Sequence, residues 1–381
     1  MAVARARSVA ALSLAVALVA AGCSVTSDNE VDESRPSSTA PRSTATPSSV
    51  DPSENVTGPT KTPQPAAPPR RSVTIAFAGD LHFEGALESR LADPRSAVGP
   101  LGRRLERADL SIVNLESAVT DRGTPEPKQY TFQDPPEVFD ALQASGVDVV
   151  TMANNHGLDY GPPSVPDALR AARAAGMPVV GIGRDADRAY RPWIATVKGQ
   201  RIAFFGATAV VDSILVDTWS AGKNQAGLAT ALDGNNAALV DAIKAVRPRV
   251  DTVVVDMHYG ADLTPCPTDI QREVAQDAVR AGADIVVGQH AHIVLGGGYM
   301  GSAYVHYGLG NFQFYSASGA TAETGVLRLT VSGREVTRPR WFPGVISGGV
   351  PMPLQGPAAA GAVQRWEQRR GCTGLTATPS G

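Results

Sequence analysis

From Ser72 onward, short apolar runs alternate with longer segments patterned for helix. The runs Val73–Ala78, Leu110–Val113, Val147–Met152, Val179–Ile182, Ile202–Ala207, Thr252–Met257, Ile285–Val287 and Ala303–Tyr307 are apolar and often β-branched, which predicts strands. Pro135–Ala144, Val165–Ala175, Gly234–Val246 and Thr268–Ala281 are predicted as helices. Pro135 and Pro136 fit a helix start, and Gly146, Gly176 and Gly282 fit helix ends. Continuous apolar strands alternating with helices imply an α/β domain whose strands are covered on both faces. Farther on, Gly325–Val331 and Glu335–Phe342 alternate like the arms of a hairpin turning at Ser332–Arg334. Beyond Pro343 the chain is Gly- and Pro-rich and reads as a solvated surface wrap, with one short helix at Ala362–Arg370. No internal repeat is present.

Ahead of Ser72 the pattern changes. Arg5 and Arg7 precede an apolar run from Val9 to Ala21, followed by Gly22 and Cys23. A charged start, an apolar stretch short for a membrane span and a small-residue end make a secretory leader. VAAGC resembles a bacterial lipobox, which makes residues 1–22 a lipoprotein signal peptide and Cys23 the lipidated residue. The alternative is an ordinary secretory peptide with an incidental Cys23. Either reading places the mature protein outside the cytoplasm, and the first anchors it to the bacterial membrane by lipid. Residues 23–70 are Ser, Thr and Pro with almost no large apolar side chains, too little to offset chain entropy, and read as a disordered tether. Residues 71–350 form the predicted domain and 351–381 a C-terminal tail.

Charge narrows the partners. The formal net charge is −3, and the leader removes two further arginines. With no polybasic run and few, scattered aromatics, nucleic acid is set aside. Beside Cys23, the chain has Cys266 and Cys372, an even pair that invites a disulfide in an oxidising compartment. Spacing alone leaves that bridge open.

The chemistry gathers at strand ends. The first predicted strand runs into Gly79-Asp80-Leu81-His82 and the second into Asn114-Leu115-Glu116. The third runs into Asn154-Asn155-His156 with Asp159 just beyond. Later strands end in His258-Tyr259-Gly260, in Gln289-His290-Ala291-His292 and in Gly310-Asn311. Five of the six histidines lie in these loops, where α/β sheets gather their ligands. Carboxylates, imidazoles and an amide oxygen suit a divalent ion such as Mn, Fe or Zn. Extended Asp-x-His and His-x-His segments would put both side chains of each pair on one face. Two ions, with Glu116 as the carboxylate available to bridge them, would supply water activation and charge stabilisation.

Taken in order, AGDLHF, NLESAVT, YTFQDPPEVFDAL, GVDVVTMANNHGLDYG, the long segment from MHYGADLTP to VVGQHAH, and YGLGNFQF cover most of Val73–Phe314. This set resembles the capsule-synthesis CapA-type (poly-γ-glutamate biosynthesis) family of the calcineurin-like metallophosphoesterase superfamily. The resemblance implies a metallophosphoesterase-like four-layer α/β/β/α sandwich holding two divalent metal ions. It places Asp80, His82 and His292 on one ion and Asn155, His258 and His290 on the other, with Glu116 between them. His156 is left free of metal as a proton donor or oxyanion-stabilising group. Asp159 could orient His156 or merely stabilise the loop. Asn154 reads as a loop-backbone partner and His306 as structural, while Asn311 could line the site or make the turn.

Two functions follow from the resemblance. One is a dinuclear-metal hydrolase acting on an anionic envelope or capsular polymer, at a phosphoester or amide linkage. The other is a non-catalytic component that holds such a polymer by its metal site, alongside other polymer-assembly proteins. A solute-binding lipoprotein shares the anchor but does not predict this ligand set.

Overall fold

The computed structural model describes residues 71–380 apart from 233–234; the leader, Cys23 and the tether lie outside the described residues. Two mixed sheets carry the domain. In the first, Val73–Leu81, Leu110–Leu115, Val149–Thr151 and Val179–Val180 run parallel. Glu323–Ser332, Glu335–Ser347 and Val350–Pro353 continue it antiparallel on the other side, and Asn311–Gln313 pairs alongside Val73–Leu81. In the second, Gln200–Thr208, Thr252–Tyr259, Ile285–His290 and Ala303–His306 run parallel between antiparallel edges Trp193–Val197 and Gly297–Met300.

Alternation along the strands assigns the layers. Val73, Ile75 and Phe77 of the first sheet share one core with Ile202, Phe204, Val254, Ile285 and Val287 of the second, so the sheets pack face to face. Ala76, Ala78, Val113 and Val150 point the other way, onto Val138–Ala144 and Ser164–Ala175. Val253, Val255 and Met257 likewise pack on Ala237–Val246 and Asp269–Ala281. This is the expected four-layer α/β/β/α sandwich. The helix expected from Thr268 begins one residue later, because the Thr268 side chain caps it in a reciprocal box with Gln271.

Trp193–Val197, Gly297–Met300 and Asn311–Gln313 escaped the sequence pattern, as did the short strands Ala118–Val119, Gln133–Asp134 and Gly227–Leu228 outside the two large sheets. The larger correction lies at the C-terminus. Far from a solvated wrap, Val350–Pro353 extends the first sheet and Gly356–Gln368 forms a helix that buries Trp366. Trp366 Nε1 donates to His306 Nε2 at 2.8 Å, and the His306 ring lies near-parallel to both Trp341 and Trp366. His306 is structural, as expected. Cys266 and Cys372 are joined in a disulfide across 106 residues, which ties the tail to the loop before Asp269–Ala281. Among the described residues no helix is long and apolar enough to cross a membrane.

Candidate metal centre

Simple alternation from Ile75 and Phe77 would send Asp80 toward the helix layer. Instead Phe77 pairs with Ile112 and Asp80 with Asn114, so Ala78 and Gly79 together oppose Val113. This bulge reverses the parity and turns Asp80 toward the second sheet. Gly79 makes it possible: a Cβ there would lie 1.7 Å from the Gly310 carbonyl oxygen. On the neighbouring strand no correction is needed. Asn114 and Glu116 continue the inter-sheet alternation of Leu110 and Ile112. From the second sheet, His258 keeps the parity of Val254.

His290 and His292 arrive differently. They lie at the end of Ile285–His290 with φ of +86° and +54°, the left-handed region that non-glycine residues seldom occupy. The His-x-His pair is therefore not an extended segment gripping an ion by strand alternation, as the sequence suggested. The turn aims the His290 N–H at Asp80 Oδ2, at 3.1 Å, and the two imidazole centroids stand 5.9 Å apart.

Glu116 is the hub. Its Oε1 lies 3.5 Å from His258 Nε2, 3.9 Å from His292 Nε2 and 4.0 Å from His156 Nε2. Asp80 stands beside this group, 3.6 Å from His292 Nδ1 and 2.8 Å from the Asn114 amide that donates to it. Burial, and then the Asp80 charge, pushes the Glu116 carboxyl well above the usual carboxylate range. Burial holds His258 well below the usual imidazole range and His290 down to about 4, so both rings are neutral at pH 7.

These residues fit a cation. Both Glu116 oxygens and His290 Nδ1 are buried without a hydrogen-bond partner among the described residues, an arrangement that is costly unless something positive accepts their lone pairs. His292 Nδ1 pairs with Asn311 Oδ1 at 2.8 Å, whose own amide nitrogen donates to Thr321, so His292 Nε2 keeps its lone pair. Ligand atoms of Glu116, His290 and His292 lie within 4.8 Å of one another and could hold a metal ion. His258 and Asn155 face each other at 2.6 Å. With Asn114 donating to His258 Nδ1 at 3.2 Å, the His258 proton sits on Nε2, and a cation held through Nε2 would require the tautomer with the proton on Nδ1.

His82 is not among the Glu116, His290 and His292 group. Its Nδ1 accepts the Glu84 N–H at 3.1 Å, which leaves the ring proton on Nε2, buried and without a partner. Burial, then His156 and His292, holds this imidazole down to about 3. As it stands, His82 presents a hydrogen-bond donor, where a lone pair was expected.

The loop after Val149–Thr151 carries His156, and its support was only partly legible. His156 Nδ1 lies 2.5 Å from Asp159 Oδ2, which also accepts the Phe132 N–H at 2.7 Å. Asp159 Oδ1 meets Lys128 Nζ at 2.7 Å, and Lys128 also donates to the Asn155 carbonyl. Lys128 is nearly buried, with its Nζ 5.0 Å from the Trp219 ring centroid. Nothing marked this lysine in the sequence beyond its place just before YTFQDPPEVFDAL. Asn154 donates to Asn114 and to the Leu115 carbonyl and accepts the His156 N–H, so it shapes the loop.

The centre opens into a cleft of about 360 Å³. Phe132 is stacked between His82 and His156, and Phe314, Tyr130, Tyr315 and Leu263 form the wall and rim. Tyr130, Leu263 and Tyr315 are exposed, and the described lining residues include no Lys or Arg.

Two curated proteins are similar in sequence. One is a capsule biosynthesis protein CapA of Bacillus anthracis, 32% identical over 182 residues, 47% of this chain and 43% of that protein. The other is a PGA biosynthesis protein CapA of Bacillus subtilis, 28% identical over 265 residues, 68% of this chain and 67% of that protein. The match thus spans less than half of the first relative and two thirds of the second. Among solved structures, a phosphatase from Mycoplasma pneumoniae aligns at TM-score 0.47 and 13% identity, over 72% of this chain and 94% of that one. A 5'-nucleotidase from Candida albicans aligns at TM-score 0.39 and 11% identity, over 80% and 60%. Residues 74–316, well over half of the sequence and all of the strand-end cluster up to Asn311, match the family model for bacterial capsule synthesis proteins, PGA_cap, and the chain belongs to that family.

Proposed function

We propose that this protein is a metal-dependent hydrolase of a phosphoester or amide linkage in an anionic envelope polymer. It acts outside the cytoplasm, anchored to the bacterial membrane through lipidated Cys23, beside other polymer-assembly proteins. The observation that carries the reading is the Glu116 carboxylate, buried without a donor and faced by three imidazole nitrogens within 4.0 Å. Two divalent ions, Mn, Fe or Zn, held by Asp80, Glu116, Asn155, His258, His290 and His292, would supply Lewis-acid activation of water and stabilise developing negative charge.

The protein's own groups divide the remaining work. Asp159 fixes the His156 ring through Nδ1 and leaves Nε2 turned toward the cluster. His156 is placed to give a proton to the leaving group or to steady an oxyanion. The unpartnered Nε2–H of His82 is a second donor that a substrate oxygen could satisfy. Phe132 keeps both rings in place and, with Phe314, excludes water from one side. The Cys266–Cys372 disulfide supports an oxidising, extracytoplasmic compartment.

The test is elemental analysis of the purified protein, followed by turnover of phosphodiester and γ-glutamyl substrates with and without chelator. Chelator-sensitive turnover that collapses in His156→Ala, with metal content intact, supports the reading. Tight metal-dependent polymer binding without turnover of either substrate shows instead a polymer-holding component.

A further inference from the structure

On the outer face of the first sheet, three guanidiniums converge on one ring. Arg104, Arg328 and Arg340 place their central carbons 4.6, 4.8 and 4.8 Å from the Phe342 centroid. Arg104 comes from the short helix Arg103–Glu106, while Arg328 and Arg340 are direct cross-strand partners. Like charges directly opposed across two strands are destabilising, and cation–π attraction to one Phe offsets only part of that. Among the described residues no carboxylate pairs with any of the three, and none of them donates a hydrogen bond. Glu367, the one acid lining the adjoining cleft of about 350 Å³, pairs with none of them. Burial, and then the two neighbouring guanidiniums, holds Arg328 below its usual range.

A fold that opposes three cations without a counter-charge has a gap an anion would fill. We propose that Arg104, Arg328 and Arg340 form an anion-binding site, separate from the metal centre, that takes a phosphate group carried on a soluble chain. Guanidiniums present planar pairs of N–H donors that match phosphate oxygens two at a time. Three of them around one ring supply more donors than a single carboxylate accepts. Three guanidiniums within 4.8 Å of one ring centroid suit a discrete oxyanion better than a flat lipid surface, where basic residues spread over a plane. The cleft beside it, lined by Arg104, Arg340, Trp341, Phe342, Leu354 and Trp366, gives an attached chain an apolar bed. The metal-centre cleft has no cation in its described lining, so this site would recognise the charge of a polymer elsewhere on the molecule. The proposal does not rest on hydrolysis.

The test uses the full chain, stripped with chelator so that phosphate cannot report on the metal centre, at constant ionic strength. Inorganic phosphate is titrated by calorimetry into wild type, Arg340→Gln and Arg340→Lys, and each is melted with and without phosphate. The expected result is at least about tenfold weaker phosphate binding in Arg340→Gln, with partial retention in Arg340→Lys. Without phosphate, Arg340→Gln should melt no lower than wild type, because a repulsion has been removed, while its phosphate-dependent rise in Tm is lost. Equal phosphate binding in wild type and Arg340→Gln overturns the site. So does a Tm loss in Arg340→Gln of the same size with and without phosphate, which would make the arginines packing elements only. Polyphosphate and phosphatidylglycerol vesicles separate the sources: Arg340-dependent binding of polyphosphate supports the proposal, and binding to vesicles alone overturns it.

Discussion

His156 Nδ1 lies 2.5 Å from Asp159 Oδ2, and Lys128 Nζ holds the other oxygen of that carboxylate at 2.7 Å. The line Lys128–Asp159–His156 fixes the imidazole from behind and leaves Nε2 facing Glu116. His156→Ala should lower kcat by about 10²–10⁴-fold, the range typical of a positioned proton donor. Lys128→Met should lower kcat less, because Asp159 keeps its bond from the Phe132 N–H. Metal content by elemental analysis should stay at the wild-type level in His156→Ala, which separates loss of the proton donor from loss of the site.

Glu116 and Asp80 are two fully buried carboxylates in one cluster, and neither Glu116 oxygen has a donor. Without a cation that arrangement costs free energy. Chelation should therefore lower Tm, and Glu116→Gln should abolish most of the chelator effect. In the metal-free state Glu116→Gln should be no less stable than wild type, since the amide is neutral at every pH whereas the buried carboxyl must take up a proton to be so. Thermal melts of both proteins with and without chelator check this. A chelator-insensitive wild type, or equal chelator shifts in the two, would count against a cation at Glu116.

The layers were legible because buried strands announce themselves as apolar runs, and the helices between them carry Pro starts and Gly ends. Gly297–Met300 was not, because an edge strand that opens on two Gly residues has no run to read, and Trp193–Val197 was missed although WIATV is itself an apolar run. The histidines and acids of the centre stood out because five of six histidines follow strands. Their geometry did not. The bulge at Ala78–Gly79 reverses the parity of Asp80, and the left-handed turns at His290 and His292 replace extended alternation. Both are set by contacts distant in sequence, the Gly310 carbonyl in the first case and Asp80 in the second. Lys128 was invisible for the same reason: a single lysine among prolines gains meaning only when folding buries it on Asp159. The C-terminal helix was expected only from Ala362, and its start at Gly356 was not legible because the first turns are Gly, Pro and Ala and Trp366 carries much of the burial.

Burial, then the Arg369 and Arg370 charges, holds the fully buried His306 imidazole down to about 3. In the unfolded chain it titrates near the ordinary value of about 6.5. Between these values the unfolded state binds the extra proton, so stability from this group is complete above about pH 6.5 and lost as pH falls toward 3. The loss reaches a few kcal/mol. His306→Phe keeps a ring beside Trp341 and Trp366 but removes the titration. It should cost about 1–3 kcal/mol at pH 7, because Trp366 Nε1 loses its acceptor. Its deficit should shrink as the pH is lowered. Denaturant unfolding across pH 4–8 measures both curves, and parallel curves would remove His306 from the acid sensitivity.

The Cys266–Cys372 bridge closes a loop of 106 residues that contains Asp269–Ala281, His290, His292 and the C-terminal helix. Arg272 reinforces it by donating to the carbonyls of Cys372 and Thr373, at 2.6 and 2.5 Å. Cys372→Ser should lower stability by about 2–4 kcal/mol, mainly by freeing the unfolded chain. Melting with and without reductant should show the wild type falling to the level of the variant and the variant unchanged.

Gly79→Ala is the most local test of how the centre is assembled. A Cβ at residue 79 meets the Gly310 carbonyl oxygen at 1.7 Å and its carbon at 2.8 Å, and backbone atoms on two paired strands cannot yield as a flexible side chain would. Relief requires the Asn311–Gln313 strand to move off Val73–Leu81, which breaks the Asp80 N–H to Gly310 bond of 3.0 Å and undoes the bulge. Without the bulge Asp80 reverts toward the helix layer, where a buried carboxylate has no partner. The variant should lose at least about 3 kcal/mol of stability and, where it still folds, bind less metal than wild type. Ala78→Gly, one residue earlier in the same bulge, shortens a side chain in the helix-facing core and leaves the Gly310 contact alone. It should lose stability more mildly with metal content preserved. Elemental analysis and melts of the two variants side by side decide the matter, and equal metal content in Gly79→Ala and wild type would show that the bulge does not place Asp80 at the ion.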